Sequence, residues 1–405
     1  MPPLLKPLPD HVPPALLYDY PFRRGYITSE RTPWEVIDEI IAKAPPIFYS
    51  PVVNSLSDGW VVSDGATCRT LLSDVEHFSR KTKFEVREAS ARRFLLVPAT
   101  VDPPDHRPLR MMLNPLFTAA RMAALDDEIR AAARLYAEAL RDRGECEFVS
   151  EFAFQFPIRV FLTMMGLPLE MTAQFLEWER NLIRGADIRV VGEVINQVLA
   201  YLEGEIEERR RRPRDDLISQ GMAASYEGRR LDEDELIGFC FNLFTGGLDT
   251  VSASMSHHFA HLAQRPDQQA WLREDSSRAP DAVKELLRAF APITQVRACI
   301  KPIEVLGQMI LPGDRIALPT AVANRDPELY DQPSEVRLDR NPRHMTFGGG
   351  EVICIGMHLA RRELTIALQE FLRIIPEFAL PPGEPIAYDF GGVPQPVEVP
   401  LVWAA

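Results

Sequence analysis

The sequence predicts a mainly α-helical protein with small β-sheets, because long amphipathic patterns outnumber short strand-like runs. Apolar residues repeat at the helical period in segments filled with strong helix formers. The helical patterns cover residues 119–142, 195–212, 233–264, 280–290 and 357–375. The strand-like runs are shorter and cover 46–50, 59–62, 304–311, 315–319 and the last few residues. We find no internal repeat, and we expect a single body over residues 1–405.

Composition narrows the class of protein further. Of the 405 residues, 46% are hydrophobic and 25% are charged, which excludes a wholly disordered or fibrous chain. The 45 basic residues against 58 acidic ones give a net charge of −13, which argues against a nucleic-acid-binding protein. Five cysteines are too few for a disulfide scaffold, and we therefore expect a reducing, cytoplasmic location.

The first 14 residues contain six prolines, at a density that no later segment matches. Proline fixes φ and removes a backbone donor, so residues 1–14 should form an extended arm on the surface. Neither this arm nor any later stretch offers the ~20 uncharged apolar residues of a membrane span. We expect no membrane attachment.

The most informative cysteine lies in the sequence FGGGEVICIGMHLAR at 347–361. Cys354 follows three glycines and precedes a helical pattern that starts near Met357. Unpaired N–H groups and the dipole at a helix N-terminus favour a thiolate, which a soft metal ligand or a nucleophile must be. The alternative is a small buried cysteine in a glycine turn. A dinucleotide-binding fingerprint fails because Ile353 stands where glycine is needed.

The arrangement F-G-x-G, then a cysteine four residues later, then C-x-G-x-x-L-A-R resembles the haem-binding loop of the cytochrome P450 family. The matching residues are Phe347, Gly348, Gly350, Cys354, Gly356, Leu359, Ala360 and Arg361. The resemblance implies haem b as the cofactor, with Cys354 as the axial ligand of its iron. It also implies the P450 fold, a triangular helical body that encloses the haem.

The other motifs of that family follow in order along the chain. Glu285 and Arg288 form its E-x-x-R, and their spacing places both on one helix face, where they can pair and hold the segment before the cysteine loop. In isolation this motif fits any solvated helix. It becomes informative because Arg288 stands 66 residues before Cys354.

The segment FTGGLDTVSAS at 244–254 matches the family's oxygen-binding stretch. Gly246 and Gly247 weaken a long helix at its centre, and a helix break alone would explain them. The resemblance implies instead a groove beside the haem at Gly246, with Asp249 and Thr250 as the catalytic pair. Thr250 would donate to the distal oxygen, and Asp249 would relay protons from solvent.

The resemblance also implies three residues that hydrogen-bond the haem propionates. His106 and Arg110 stand four apart in DPPDHRPLR, and Arg297 follows Arg288 by nine residues. The family uses these positions for charge-assisted hydrogen bonds to the propionate groups. With them, the resemblance covers nearly the whole chain.

Several stretches are similar to the bacterial camphor hydroxylase group, among them LFTGGLDTV, GMHLARRE and the terminal PLVW. The resemblance implies a monooxygenase that uses O2 and electrons from a separate [2Fe–2S] ferredoxin, itself reduced by an NADH-dependent reductase. An acidic ferredoxin should meet a local basic patch, for which the candidates are Arg110, Arg343 and Arg362.

Three positions depart from the family pattern. Val352 stands two residues before Cys354, where the family usually has His or Arg. Glu335 occupies a position that is commonly basic, and Arg337 or Arg340 could replace that side chain. Phe94 aligns with the tyrosine that hydrogen-bonds the camphor ketone and has no hydroxyl to donate.

These departures predict a roomier apolar pocket, which fits a terpenoid or norisoprenoid such as an ionone better than camphor. The candidate lining residues are Phe84, Phe94, Leu96, Asn242, Thr245, Ile293 and Gly392. Plain core packing is the alternative for each of them.

Two other functional classes stay open at this point. A haem-thiolate peroxygenase would share Cys354 but usually replaces the Asp–Thr pair, and a non-enzymatic haem sensor would need no proton relay. His257, His258 and His261 have the i, i+4 spacing of a zinc site, but no glutamate takes the general-base position. We expect no zinc there.

Overall fold

The computed structural model describes residues 7–53, 57–81, 95–185, 187–383 and 385–404, and helices predominate in them. In chain order the α-helices are α1 (Pro33–Lys43), α2 (Gly65–Leu71), α3 (His106–Leu113), α4 (Ala119–Ala123), α5 (Asp126–Arg141), α6 (Gln155–Met165), α7 (Thr172–Arg184), α8 (Ile188–Arg211), α9 (Leu217–Ala223), α10 (Glu233–Gly247), α11 (Asp249–Leu262), α12 (Pro266–Glu274), α13 (Ala279–Ala289), α14 (Thr320–Asn324) and α15 (Met357–Ile374).

The β-strands are short, as expected. They are β1 (Ile27–Thr28), β2 (Ile47–Val53), β3 (Ser57–Val62), β4 (Phe78–Ser79), β5 (Glu145–Glu147), β6 (Ser225–Tyr226), β7 (Arg229–Arg230), β8 (Thr294–Cys299), β9 (Ile303–Val305), β10 (Gln308–Ile310), β11 (Arg315–Pro319), β12 (Tyr388–Asp389), β13 (Gln395–Pro396) and β14 (Pro400–Val402).

The chain forms two compact units, each assembled from separate segments. Unit 1 consists of Met1–Thr82, Pro280–Cys354 and Gly383–Val397. Unit 2 consists of Lys83–Ala279, Ile355–Pro382 and Glu398–Ala405.

Unit 1 is built on a five-stranded sheet in the order β2-β3-β11-β8-β4. The β3–β11 pair is parallel and the other pairs are antiparallel. Trp60 and Ile316, which are partners across β3 and β11, are both fully buried in the core of this unit. Arg297 lies opposite Ile316 on the other side of β11, so the sheet fixes the position of a predicted site residue.

Unit 2 is mainly helical, and aromatic side chains pack its helices together. Phe259 of α11 stacks on Phe148 with ring centroids 4.2 Å apart and meets Phe371 of α15 edge-on at 4.9 Å. Phe244 of α10 packs in the same way against Phe175 of α7 at 5.5 Å. These contacts bury the centre of the long apolar segment and hold α10 and α11 in the core of unit 2.

The predicted helices and strands are confirmed, except that the 233–264 pattern is divided into α10 and α11 and two further patterns change in detail. The pattern over 119–142 becomes two helices, α4 and α5, and the run at 304–311 becomes the hairpin β9–β10. Leu306 and Gly307 turn that hairpin with φ of 52° and 77°. The prediction of an extended surface arm is wrong in part for the residues described from 7 onward, because the chain turns at residues 10–12, Val12 is buried in the core of unit 1, and a short 3-10 helix begins at Pro14.

One segment of the described residues, Glu233–Leu262, is long and apolar enough to cross a membrane. Sixty-seven per cent of its most apolar window is buried inside the protein. That burial is typical of a core helix, which is the role of α10 and α11 in unit 2.

Candidate functional site

Cys354 ends a glycine-rich loop, three residues before α15 begins. Its backbone N–H donates to the carbonyl oxygen of Phe347 at 2.9 Å, which closes the loop. Gly348 and Gly350 have φ of 79° and 63°, and a Cβ on Gly350 would lie 2.8 Å from Ser73 Oγ. Glycine is required here both by the backbone conformation and by the close approach of Ser73.

Cys354 differs from the other cysteines in its exposure. It is exposed, and the four buried cysteines are Cys68, Cys146, Cys240 and Cys299. Burial raises the pKa of each of these four thiols, which keeps them protonated and confined to core packing. Gly356 caps the 18-residue helix α15 just after Cys354, and helix N-termini favour thiolates. Cys354 is the cysteine best placed to ligate a metal.

The long core helix is interrupted at the predicted position. Helix α10 ends at Gly247, α11 begins at Asp249, and Leu248 lies between the two helices. Gly246 is exposed within this otherwise buried segment, and a Cβ placed on it would meet nothing within 4 Å. Thr250 Oγ1 donates to the carbonyl oxygen of Gly246 at 2.8 Å. The interruption therefore combines open space with a hydroxyl group at its edge.

The carboxylate of Asp249 is buried, with 1% of the side chain exposed, and it lies in a network that the sequence analysis did not find. Arg184 Nη2, from the end of α7, donates to Asp249 Oδ1 at 2.8 Å. Glu179, one turn earlier on α7, is also buried and interacts with Asp249. No local signal marks these residues, because α7 precedes Asp249 by more than 60 residues.

The three residues implied as propionate ligands are described in their own units. In unit 2, His106 and Arg110 stand one turn apart on α3, with His106 buried and Arg110 partly exposed. In unit 1, Arg297 is buried on β8, where its Nη1 donates to Gln295 Oε1 at 3.0 Å. Each position supplies the cationic or N–H donor group that a propionate requires.

Glu285 and Arg288 form the pair that the sequence predicts. Both side chains are fully buried, and the contact is bidentate, with Nε–Oε2 of 2.7 Å and Nη2–Oε1 of 2.8 Å. Arg288 Nη1 and Nη2 also donate to the carbonyl oxygens of Asn324, Pro333 and Glu335. The pair thus holds the segment that leads to the cysteine loop.

The structure also decides between the two replacements considered for Glu335. Arg340 Nε donates to Glu285 Oε1 at 3.1 Å, whereas Arg337 reaches the same oxygen through its backbone N–H at 3.0 Å. The side chain of Glu335 takes no part, since only its carbonyl oxygen accepts from this cluster. Arg340 is therefore the third charged member of the cluster.

Of the predicted pocket residues, Phe84 and Phe94 lie outside the described residues. In unit 2, Asn242 Nδ2 donates to the carbonyl oxygen of Val97 at 3.2 Å, which brings Asn242 next to Leu96. Thr245 Oγ1 donates to the carbonyl oxygen of Asn242 at 3.4 Å. All three side chains are half-buried.

The remaining two pocket residues belong to unit 1. Ile293 and Gly392 are half-buried, and the carbonyl oxygen of Ile293 accepts from the N–H and the hydroxyl of Thr320. No cluster of three potential metal ligands occurs among the described residues. His261, from the triplet considered for zinc, instead bonds Gln268 through its Nε2 at 2.9 Å.

Known proteins resemble this chain over most of its length. Residues 169–383 match the cytochrome P450 family. The chain is 33% identical over 407 residues to the probable cytochrome P450 127A1 of Sinorhizobium fredii, which covers 98% of this chain and 97% of that protein. It is 30% identical over 289 residues to the steroid C26-monooxygenase of Mycobacterium tuberculosis, which covers 69% of this chain and 78% of that protein.

Solved structures agree with the sequence relatives. The crystal structure of CYP101J2 matches with a TM-score of 0.89 at 30% identity, covering 99% of this chain and 100% of that one. This similarity confirms the mainly helical fold and the relation to the camphor-type group. Members of the family bind haem b through a cysteine thiolate and depend on O2 and redox partners. The chain belongs to the cytochrome P450 family of haem-thiolate monooxygenases.

Proposed function

We propose that this protein hydroxylates a small apolar substrate, a terpenoid or norisoprenoid such as an ionone rather than camphor, with electrons from a [2Fe–2S] ferredoxin. A separate NADH-dependent reductase supplies the ferredoxin. The reaction consumes the substrate, O2, two electrons and two protons and gives the alcohol and water. The observation that carries the proposal is the interruption of the core helix, where the Thr250 hydroxyl contacts Gly246 beside open space and the preceding residue, Asp249, is buried.

The residues present fit haem b. An exposed thiol precedes a long helix, glycines shape the loop before it, and a core helix leaves open space in unit 2. Haem b supplies oxygen activation and oxygen transfer to a C–H bond when it is bound. We assign the axial ligand to Cys354, the propionate contacts to His106, Arg110 and Arg297, and the surrounding backbone to Phe347, Gly348, Gly350, Gly356 and Gly246.

Asp249 and Thr250 handle the protons in this proposal. The Thr250 hydroxyl already donates to a carbonyl oxygen of its own helix, and rotation about one side-chain bond redirects it to an oxygen atom in the open space. Asp249 is closed off from water and tied to Arg184, so it takes up protons through its neighbours. The pair also disfavours a peroxygenase, which needs no such relay.

The substrate class follows from the chemistry of the pocket candidates. Leu96 and Ile293 are apolar, and the polar groups of Asn242 and Thr245 are engaged with backbone carbonyl oxygens. A pocket of this kind offers apolar area and little directed hydrogen bonding, which selects by shape. Gly392 has no side chain, so it leaves more volume in the proposed pocket than a larger residue would.

An acidic ferredoxin would dock at basic side chains, for which Arg110, Arg343 and Arg362 are the candidates. Arg362 is held by Asp126 through two bonds of 2.5 and 2.7 Å, so its charge is largely neutralised. Arg362 is therefore the weakest of the three candidates. We also propose a cytoplasmic location, because none of the five cysteines, all of which the structure describes, forms a disulfide.

A spin-state titration tests the substrate proposal. Ferric haem-loaded enzyme is titrated with a panel of ionones, other terpenoids and camphor, and the shift of the Soret band is recorded. We expect ionones to shift the spectrum at lower concentration than camphor, and the shifted ligands to be hydroxylated with NADH, reductase and ferredoxin. A response to camphor alone, or to none of the panel, would contradict the assignment.

A further inference from the structure

Asp249 shares its buried environment with a second acid. The Asp249 side chain is 1% exposed, and the Glu179 residue is 3% exposed. Arg184 contacts one oxygen of Asp249, at 2.8 Å. The other oxygen, Oδ2, and Glu179 Oε1 are both buried, and neither accepts from a donor among the described residues.

The side chains of Glu179 and Asp249 lie close enough for a hydrogen bond to form between them when one of them is protonated. An ionised carboxylate only accepts hydrogen bonds, so two ionised carboxylates cannot form one. Two buried acids at this distance, each with an oxygen that no donor of the described residues reaches, are therefore best accommodated when one of them carries a proton between them. A shared proton also explains why Glu179 Oε1 and Asp249 Oδ2 have no donor among the described residues, because the O–H of one carboxyl group would be the donor to the other.

The charges around the pair decide which acid holds the proton. Asp249 is compensated by the guanidinium of Arg184, which contacts it directly. Burial, followed by the negative charge of Asp249 and the hydrogen bond to it, raises the pKa of Glu179 well above its ordinary value. Arg184 and Arg180, the basic groups near Glu179, oppose this rise without cancelling it. Glu179 is thus the member of the pair on which a proton is favoured.

We propose that Glu179 is protonated in the resting enzyme and hands this proton to Asp249 each time Asp249 passes one on toward Thr250. For each of the two protons used in a turnover, the O–H bond of Glu179 breaks as an O–H bond forms on Asp249, Asp249 then releases that proton toward Thr250, and Glu179 regains a proton from water. Glu179 acts through Asp249 and is therefore a positioning residue. The proton transfer during turnover rests on the proposed function of Asp249. The proton shared by Glu179 and Asp249 is a property of the resting protein and does not depend on that function.

Infrared spectroscopy of the resting ferric protein tests the shared proton without turnover. A protonated carboxyl group gives a C=O stretch that shifts in D2O. Glu363, on α15, is a second buried acid whose pKa burial raises, so it contributes a band of its own. We expect one band to disappear in E179Q and to move in D249N, and a different band to disappear in E363Q. If no band responds to E179Q, the proposal is overturned.

Turnover measurements then test the proton transfer from Glu179 to Asp249. With saturating ferredoxin, we expect E179Q to lower kcat for product about 10-fold and to enlarge the solvent deuterium effect, because glutamine keeps the donor but cannot release a proton. E179D should restore part of the rate, and E363Q should leave it unchanged. An unchanged kcat in E179Q would overturn the proposed proton transfer from Glu179 to Asp249. A wild-type enzyme that forms no product would instead contradict the proposed function, and the infrared bands would still be readable.

Discussion

At the scale of single residues, the Thr250 hydroxyl has the most specific chemical role in the proposed function. It has one proton to donate, and it donates it to the Gly246 carbonyl oxygen at 2.8 Å. Such bonds from a hydroxyl back to the preceding turn perturb the helical ladder, and they can be exchanged for a new acceptor without moving the backbone. The Thr250 hydroxyl can therefore donate either to the Gly246 carbonyl oxygen or to a new acceptor.

Replacing Thr250 with alanine removes this donor and leaves the helix in place. We expect T250A to bind substrate with the same spin-state change, while product formed per NADH falls about 10-fold and hydrogen peroxide rises. Product, peroxide and NADH are measured in one reaction. T250S keeps a hydroxyl group and should remain coupled. Unchanged coupling in T250A would show that the hydroxyl has no part in proton delivery.

The Glu285 cluster shows what residue spacing can and cannot decide. The E-x-x-R spacing predicted the Glu285–Arg288 pair, and the structure contains it. It left Arg337 and Arg340 as equal candidates, because both follow Glu335 within five residues. The choice depends on the path of the backbone, which directs the guanidinium of Arg340 and only the N–H of Arg337 to Glu285. No sequence pattern encodes that path.

At the scale of helices, a single carboxylate joins α5 to α15. Glu370 of α15 is 3% exposed and is paired with Arg130 and Arg134 of α5 and with Arg373 of its own helix. Burial alone would raise its pKa, but the hydrogen bonds from the three arginines lower the pKa of Glu370 to about 2. Glu370 is therefore charged at every pH above this value and holds the two helices together.

Replacing Glu370 with glutamine should destabilise unit 2. We expect E370Q to lower the free energy of unfolding by about 2 kcal/mol at pH 7, because the half-buried Arg130 and the exposed Arg134 and Arg373 lose a buried charged acceptor. The folded pKa lies below the ordinary value of 4.5, so the stabilisation is complete above that pH and is lost as the pH falls toward 2.

Urea unfolding at pH 7 and pH 3 measures the effect of this substitution. The difference between wild type and E370Q should shrink at the lower pH, and E138Q, at an exposed acid on α5, should behave like wild type at both. A difference that stays constant with pH would argue that packing, rather than the charge of Glu370, links the helices.

The helix predicted over 119–142 shows why periodicity is an incomplete guide to element boundaries. Apolar spacing runs on through the segment, yet α4 ends at Ala123 and α5 begins at Asp126. Asp126 and the two acids after it occupy the first turn of α5, where the helix dipole favours negative charge. The signal for the break was present as this acidic run, which a count of apolar positions does not register.

At the scale of the whole molecule, the family could be predicted because its motifs are short and occur in a fixed order. The contacts of Glu179 and Arg184 with Asp249 could not, since they join α7 to α11 across 65 residues or more without any spacing rule. The substrate pocket could be predicted only in part. Its positions come from alignment, and Phe84 and Phe94 stay predictions because they lie outside the described residues.

The central claim is that the Cys354 thiolate ligates haem iron, and the spectrum of the reduced carbon monoxide complex tests it most directly. We expect the wild-type enzyme to give the long-wavelength band of thiolate-ligated haem. C354H should retain haem and lose this band in favour of that of imidazole-ligated haem, while C146A, at a buried cysteine, should keep it. A thiolate band that persists in C354H would contradict the assignment of Cys354 as the axial ligand.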